Sequence, residues 1–251
     1  MKYAPPRFLF RRYEVMKNIE RGGHFLEIGP GNLLLALEIL TKFDKGTLID
    51  FNTTNVEQIY NSLNDGQKQK LKLIIADFFE QDHLNERFDC VVFCEVLEHI
   101  QDDAAFLKKV NKTLVEGGQL ILSVPSRKIY WSIHDEIVGH CRRYEKNDLQ
   151  EKLINAGYTQ IKIISYGFPF VNIARIARIA LAKIQYNEKS RWDQKTKTQQ
   201  SSFNVKPNPL LDWVAIIINK YTFYPLSLLA AAFNDFDLSD GYVVSAFKSR
   251  S

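Results

Sequence analysis

Phe25-Leu26-Glu27-Ile28-Gly29-Pro30-Gly31-Asn32-Leu33-Leu34-Leu35-Ala36 reads as a strand, a tight turn and the start of a helix. A short run with strand character over 25–28 meets the turn, and helical spacing continues over 33–41. Gly29 permits backbone angles that other residues rarely adopt, and Gly31 lets a ligand approach the backbone with no Cβ in the way. The helix start beyond it offers N–H groups to a carboxylate or phosphate. The turn by itself selects no ligand. A dinucleotide fingerprint asks for a further glycine, and none occurs before Gly46.

Outward from that turn the chain alternates. A helix is predicted over 7–21, where Phe8, Tyr13, Val15, Met16 and Ile19 give an apolar face. Strands follow at 47–49, ending at Asp50, and at 71–76, ending at Asp77, with a helix over 56–63 between them. The run 88–94 is continuously apolar after Asp89, as a strand covered on both faces should be. A helix over 102–114 is expected to stop at Glu116-Gly117-Gly118, followed by a strand over 119–124. A helix over 147–156 closes at Gly157 before a strand over 161–165. This order predicts an α/β protein built on a doubly wound, mostly parallel sheet with right-handed crossovers. Ligands belong beyond the C-terminal strand ends.

After Tyr166 the rhythm changes to a basic helix (171–186), a polar stretch (187–207), an apolar helical stretch (210–233) and a last strand (241–247). A helical insertion between the last two strands accounts for this pattern within a single domain. Its parts are an N-terminal helix or lid (1–21), a binding core (22–166), the insertion (167–240) and the last strand (241–251).

Composition narrows the class. Hydrophobic residues at 45% and charged residues at 25% suit a soluble chain with a core. A net charge of +4 is too small to argue for a nucleic-acid partner. Cys90, Cys94 and Cys141 form an odd set without metal spacing, which points to a reduced, cytoplasmic protein. The first dozen residues hold no apolar stretch of signal-peptide type, and 210–233 is interrupted by Asp212, Lys220 and Pro225.

Two acidic strand ends extend the site. Asp50, about twenty positions after the glycine turn, suits ribose hydroxyls of either NAD or S-adenosylmethionine (SAM), and Phe51 adjoins it. Asp77-Phe78 offers a carboxylate for an adenine amino group with a ring nearby. Beyond lie Glu95-Val96-Leu97-Glu98-His99-Ile100 and Leu114-Val115-Glu116-Gly117-Gly118.

This ordered set resembles the class I SAM-dependent methyltransferases, particularly ubiquinone- and menaquinone-type small-molecule enzymes. In their E-x-G-x-G-x-G segment, Glu27, Gly29 and Gly31 match, while Leu33 stands where the third glycine would be. Asp50 corresponds to the ribose-binding acid, Asp77 and Phe78 to adenine contacts, and Glu95 to Ile100 to an E-V-L-E-H-I segment. The resemblance spans 22 to about 166. It implies a Rossmann-like sheet with an antiparallel last strand, SAM as cofactor, and Glu27, Gly29, Gly31, Asp50, Phe51, Asp77, Phe78 and Glu95 as cofactor residues.

Methyl transfer requires alignment of a nucleophile with the methyl group and no metal, although oxygen nucleophiles need a base. His99 follows the fourth strand. The segment 126–144, after the fifth, contains His134-Asp135-Glu136 and His140-Cys141-Arg142-Arg143-Tyr144. His140 or His134 is the candidate base, Tyr144 a candidate for orienting the acceptor, and Arg142 or Arg143 for holding an anionic group. The alternative is a surface loop whose arginines pair with Asp135 and Glu136; two histidines at this spacing give poor evidence for zinc. Tyr3, Arg7, Arg11, Arg12 and Tyr13 would line a lid formed by the first helix.

Arg175, Arg178 and Lys183 group on one side of the basic helix, as in helices that lie on anionic membranes. Contact through 171–233 would suit a lipid-linked acceptor; packing on the sheet or across a homodimer interface is the commoner use of such helices. The leading function is methylation of a small or lipid-linked metabolite at O, N or C. An RNA or protein methyltransferase lacks support from any basic stripe with interleaved aromatics. A SAM-binding protein without catalysis and an NAD-dependent dehydrogenase complete the alternatives.

Overall fold

The computed structural model describes residues 4–51, 53–80, 86–189 and 217–250. Seven strands form one sheet: β1 (Gly22–Ile28), β2 (Phe43–Asp50), β3 (Leu71–Ile75), β4 (Phe88–Cys94), β5 (Leu114–Pro125), β6 (Tyr158–Ser165) and β7 (Gly241–Lys248). Their spatial order is β3-β2-β1-β4-β5-β7-β6. Neighbours from β3 to β5 pair in parallel, and β7 runs antiparallel to both β5 and β6. The expected Rossmann-like sheet with its antiparallel last strand is what the chain forms.

Pleating explains the uninterrupted apolar run of β4. Val91 and Phe93 join a core with Leu120, Leu122, Phe106, Leu107 and Leu149, while Cys90 and Val92 join the opposite core with Phe25, Leu48, Phe10 and Ile39. Helices α5 (Asp103–Thr113) and α7 (Lys146–Asn155) supply the first layer; α1 (Pro6–Asn18), α2 (Leu34–Ile39), α8 (Phe170–Lys189) and α9 (Tyr224–Ala231) contribute to the second. A fully buried aliphatic or aromatic side chain contributes roughly 1.5–3 kcal/mol, so both layers are strongly held.

Several local expectations change. Glu116-Gly117-Gly118 does not cap a helix: α5 ends at Thr113, and the chain enters β5 directly at Leu114. Gly117, at φ +74°, lies where the β4–β5 register shifts, so its freedom serves an irregular strand. Two short helices escaped the periodicity analysis. One is α4 (Asp65–Lys70), whose reciprocal cap joins Asn64 and Gln67; the other is α6 (Ile133–Val138), within the segment 126–144 for which no helix was predicted. The stretch 56–63 overlaps α3 (Thr53–Asn61), and within the apolar stretch 210–233 the described residues are α-helical at 217 and over 224–231. Tyr3, the polar stretch beyond Lys189, and Trp213 and Ile216 lie outside those residues.

Candidate active site

The turn after β1 is built as its composition demands. Gly29 has φ +68°, and a Cβ there would meet Val96 Cγ2 at 2.9 Å. Gly31, at φ +54°, has, apart from its chain neighbours, no atom of the described residues within 4 Å of where its Cβ would be, so this approach is open to a ligand. Leu33, in the position of the missing glycine, also takes a left-handed φ of 60°. Its side chain is fully buried beside Leu35 and Ile39. Burial of about 1.5–3 kcal/mol offsets a left-handed penalty of roughly 1–2 kcal/mol, which is why leucine is tolerated.

Glu27 is buried, and among the described residues its Oε2 has no hydrogen-bond partner. Burial, with Asp50 adding to it and Arg11 opposing it, pushes its carboxyl up to about 8. Asp50 is buried at the end of β2, and Phe51 beside it is half exposed. Asp77 is exposed and accepts from the Phe79 N–H at 2.8 Å. Phe78 departs from its expected place against a ligand face: it is buried in the core against Phe106, whereas neighbouring Phe79 is exposed.

Glu95, beyond β4, sits at φ +57°, a strained conformation for a residue with a Cβ. Its carboxylate accepts from Ser123 Oγ at 2.9 Å and pairs with Arg7 Nη2 at 2.9 Å and Arg11 Nη1 at 3.5 Å. Burial opposes its ionisation, but these arginines outweigh burial and hold it near 2. Glu98 shows the reverse. It is fully buried, neither oxygen has a hydrogen bond among the described residues, and burial reinforced by Glu95 raises it well above the carboxylate range.

His140 Nδ1 lies 2.9 Å from Asp135 Oδ1, and Nε2 faces Glu98 Oε1 at 3.7 Å. His99 Nδ1 is 3.0 Å from the Gly139 carbonyl, and the two imidazoles meet edge to face at 4.9 Å. Ligand-type atoms of Glu98, His99 and His140 lie within 4.8 Å of one another. Burial leads in lowering both His99 and His134 to about 4, with His140 next for the former and Arg178 next for the latter. Both rings are therefore neutral near pH 7.

Two residues expected to touch the acceptor point elsewhere. Tyr144 is 2% exposed, and its hydroxyl donates to Asp103 Oδ2 at 3.0 Å, so it ties the segment between α6 and α7 to α5. Arg143 is 3% exposed and fully engaged: Nε donates to Asp135, while Nη1 donates to the Ser126 carbonyl at 3.0 Å and to Asp240 Oδ1 at 2.6 Å. Arg142 pairs with Asp103 at 2.7 Å. Burial decides these outcomes, because a guanidinium removed from water needs several acceptors at once.

Asp240, ahead of β7, went unnoticed in the sequence. Its fully buried carboxylate pairs with Arg7 at 2.7 Å, Arg143 at 2.6 Å, Arg175 at 3.7 Å, and Arg178. Asparagine-rich or acidic turns are common before strands, so only its neighbours distinguish it. The helix α1 brings Arg7 and Arg11 over the strand ends, and Arg12 pairs with Glu38 of α2.

A sequence model described as "Methyltransferase domain" matches residues 2–163. The chain belongs to the methyltransferase-domain family. Among curated relatives of this methyltransferase-family chain, two Mycobacterium tuberculosis proteins named "Probable S-adenosylmethionine-dependent methyltransferase" (MT3114 and Rv3030) are each 24% identical over 115 residues. That alignment takes in 45% of this chain and 40% of each relative, so it spans about two-fifths of their length. A Haemonchus contortus phosphoethanolamine N-methyltransferase 2, solved with phosphomonomethylethanolamine and S-adenosylhomocysteine, superposes with TM-score 0.59 at 13% identity. The match covers 96% of this family member and 52% of that chain. The [4+2]-cyclase SpnF superposes with TM-score 0.57 at 14% identity, covering 96% and 81%. One fold thus carries differently named chemistries, and the site has to argue the rest.

Proposed function

We propose that this chain is a SAM-dependent methyltransferase acting on a small-molecule acceptor. The observation that carries the proposal is Glu27: a buried carboxyl with an unpartnered oxygen, beside the open approach at Gly31. A cationic ligand group is what such a carboxyl lacks, and the α-ammonium of SAM supplies one. Arg11, whose buried Nε also lacks a partner among the described residues, suits the α-carboxylate. Asp50, at the end of β2, suits the ribose hydroxyls, and exposed Asp77, just beyond β3, suits the adenine amino group. Glu95 positions Arg7 and Arg11 rather than presenting its own charge.

Bound SAM supplies an electrophilic methyl group for in-line displacement. The chain's residues align the nucleophile and handle its proton. His140, oriented through Nδ1 by Asp135, and neutral His134 are the candidate bases on the acceptor side. His99 packs against the His140 ring.

Exposed Ile173, Ile176 and Ile184 on α8 and Leu229 on α9 support an apolar or lipid-linked portion of the acceptor, or contact with a membrane surface. No helix among the described residues is long and apolar enough to cross a membrane. Calorimetry with SAM and NAD side by side tests the cofactor. Micromolar SAM binding without NAD binding is expected; NAD binding without SAM binding overturns the proposal.

A further inference from the structure

Five guanidiniums, from Arg7, Arg11, Arg143, Arg175 and Arg178, crowd the C-terminal sheet edge against the ionised carboxylates of Glu95, Asp135 and Asp240. Glu98, the remaining acid there, stays protonated and offsets no charge. The cluster is therefore over-supplied with cations, and its hydrogen bonds show the same surplus. Among the described residues, the buried Nε atoms of Arg7, Arg175 and Arg178 have no acceptor. Neither does the hydroxyl of Tyr166, which is fully buried.

These donors belong to one place. Arg7 and Arg178 share Asp240 Oδ2, Arg175 Nε lies 3.7 Å from Asp240 Oδ1, an ion pair too long for a hydrogen bond, and the Arg7 guanidinium stands 6.0 Å from the centre of the Tyr166 ring. They come from α1, α8 and the residue after β6, so three separate parts of the chain bring donors around Asp240. His134, on α6, adds a neutral imidazole beside Arg178. Leaving a buried donor unmade costs roughly 1–3 kcal/mol, and more for a charged group. Arginine prefers planar or tetrahedral oxyanions, which accept several N–H groups at once.

We infer that the acceptor carries an acidic group, a carboxylate or phosphate, which enters between α1, α6 and α8 and is received by Arg7, Arg175, Arg178 and Tyr166. The inference rests on the methyltransferase reading for the word acceptor, but the anion site itself does not need SAM. Specificity follows from charge: SAM brings a sulfonium to a site already rich in cations, so an anionic acceptor balances the loaded site where a neutral one does not.

The test uses inorganic phosphate on the full chain, with thermal unfolding followed at one pH and sodium chloride as the control at equal ionic strength. Phosphate is expected to raise Tm in a saturable way beyond chloride, with or without SAM. Arg178→Met should weaken the phosphate titration at least tenfold. Tyr166→Phe keeps the ring and removes a hydroxyl that has no partner in the fold, so the unliganded Tm should hold while phosphate protection falls several-fold. No protection of the wild type beyond chloride overturns the inference. So does protection that survives in both variants, because the anion then binds elsewhere. A separate SAM titration fails only if the cofactor reading fails, which keeps the two results distinct.

Discussion

Glu27, at the end of β1, and Asp240, at the start of β7, are equally withdrawn from water, yet they resolve the cost of burial in opposite ways. Asp240 is met by four guanidiniums and stays ionised below its ordinary range, since those arginines outweigh burial. Glu27 has Arg11 at a distance and an oxygen with no partner among the described residues, and burial keeps it protonated up to about pH 8. On the β7 side the carboxylate is fully paired, tying α1, α6 and α8 to the sheet, and what remains to spare there are donors. On the β1 side one oxygen of Glu27 has no hydrogen-bond partner among the described residues, which is the condition for accepting a cation from outside.

Removing the paired charge should produce the largest effect. Asp240→Asn leaves four guanidiniums without their shared carboxylate and is expected to cost about 3–5 kcal/mol in urea unfolding. A loss below 1 kcal/mol would erase the contrast with Glu27. Glu27→Gln is expected to act on the ligand instead, weakening SAM binding by roughly 10–100-fold in calorimetry through loss of a charge-assisted hydrogen bond.

The same variant sharpens the comparison through pH. Because the folded Glu27 titrates near 8 rather than at 4.5, its contribution is fully present below 4.5 and is lost as pH rises through 8. Stability of the ligand-free protein should therefore decline across that window, and Glu27→Gln should flatten the decline. SAM affinity should rise over the same range, since the ammonium favours the ionised carboxylate. A wild-type profile matching that of Glu27→Gln would place Glu27 outside the site.

Two smaller effects probe the turn. Leu33→Gly relieves a left-handed leucine but empties its buried place, so a net loss of about 1–2 kcal/mol is expected by denaturation. A gain in stability would show that strain dominates packing there. Asp50→Ala should weaken SAM by about fivefold, near 1 kcal/mol for one hydrogen bond. Unchanged affinity would remove Asp50 from the ribose contact.

The glycine turn was legible because its requirements are local. Gly29 and Gly31 take positive φ where the sequence placed them, and the acids at the ends of β2 and β3 fall where the strand count put them. Even the departure at Leu33 keeps the left-handed backbone that a glycine would have supplied. The acceptor side was legible only as a set of residue types. In the segment 126–144, Arg143 and Tyr144 proved to be interior, and of the pair Phe78-Phe79 it is Phe79 that is exposed.

The sequence by itself therefore determined the strand-and-helix order, the parallel core and the turn at Glu27 to Gly31, because periodicity and backbone freedom act over a few residues. Only the tertiary structure decided which charges are used up. Arg7 reaches Asp240 across 233 positions and Arg143 reaches it across 97, and whether a guanidinium awaits a ligand or is already satisfied depends on such long-range neighbours. Burial makes those partners obligatory, and burial is a property of the packed molecule rather than of any segment.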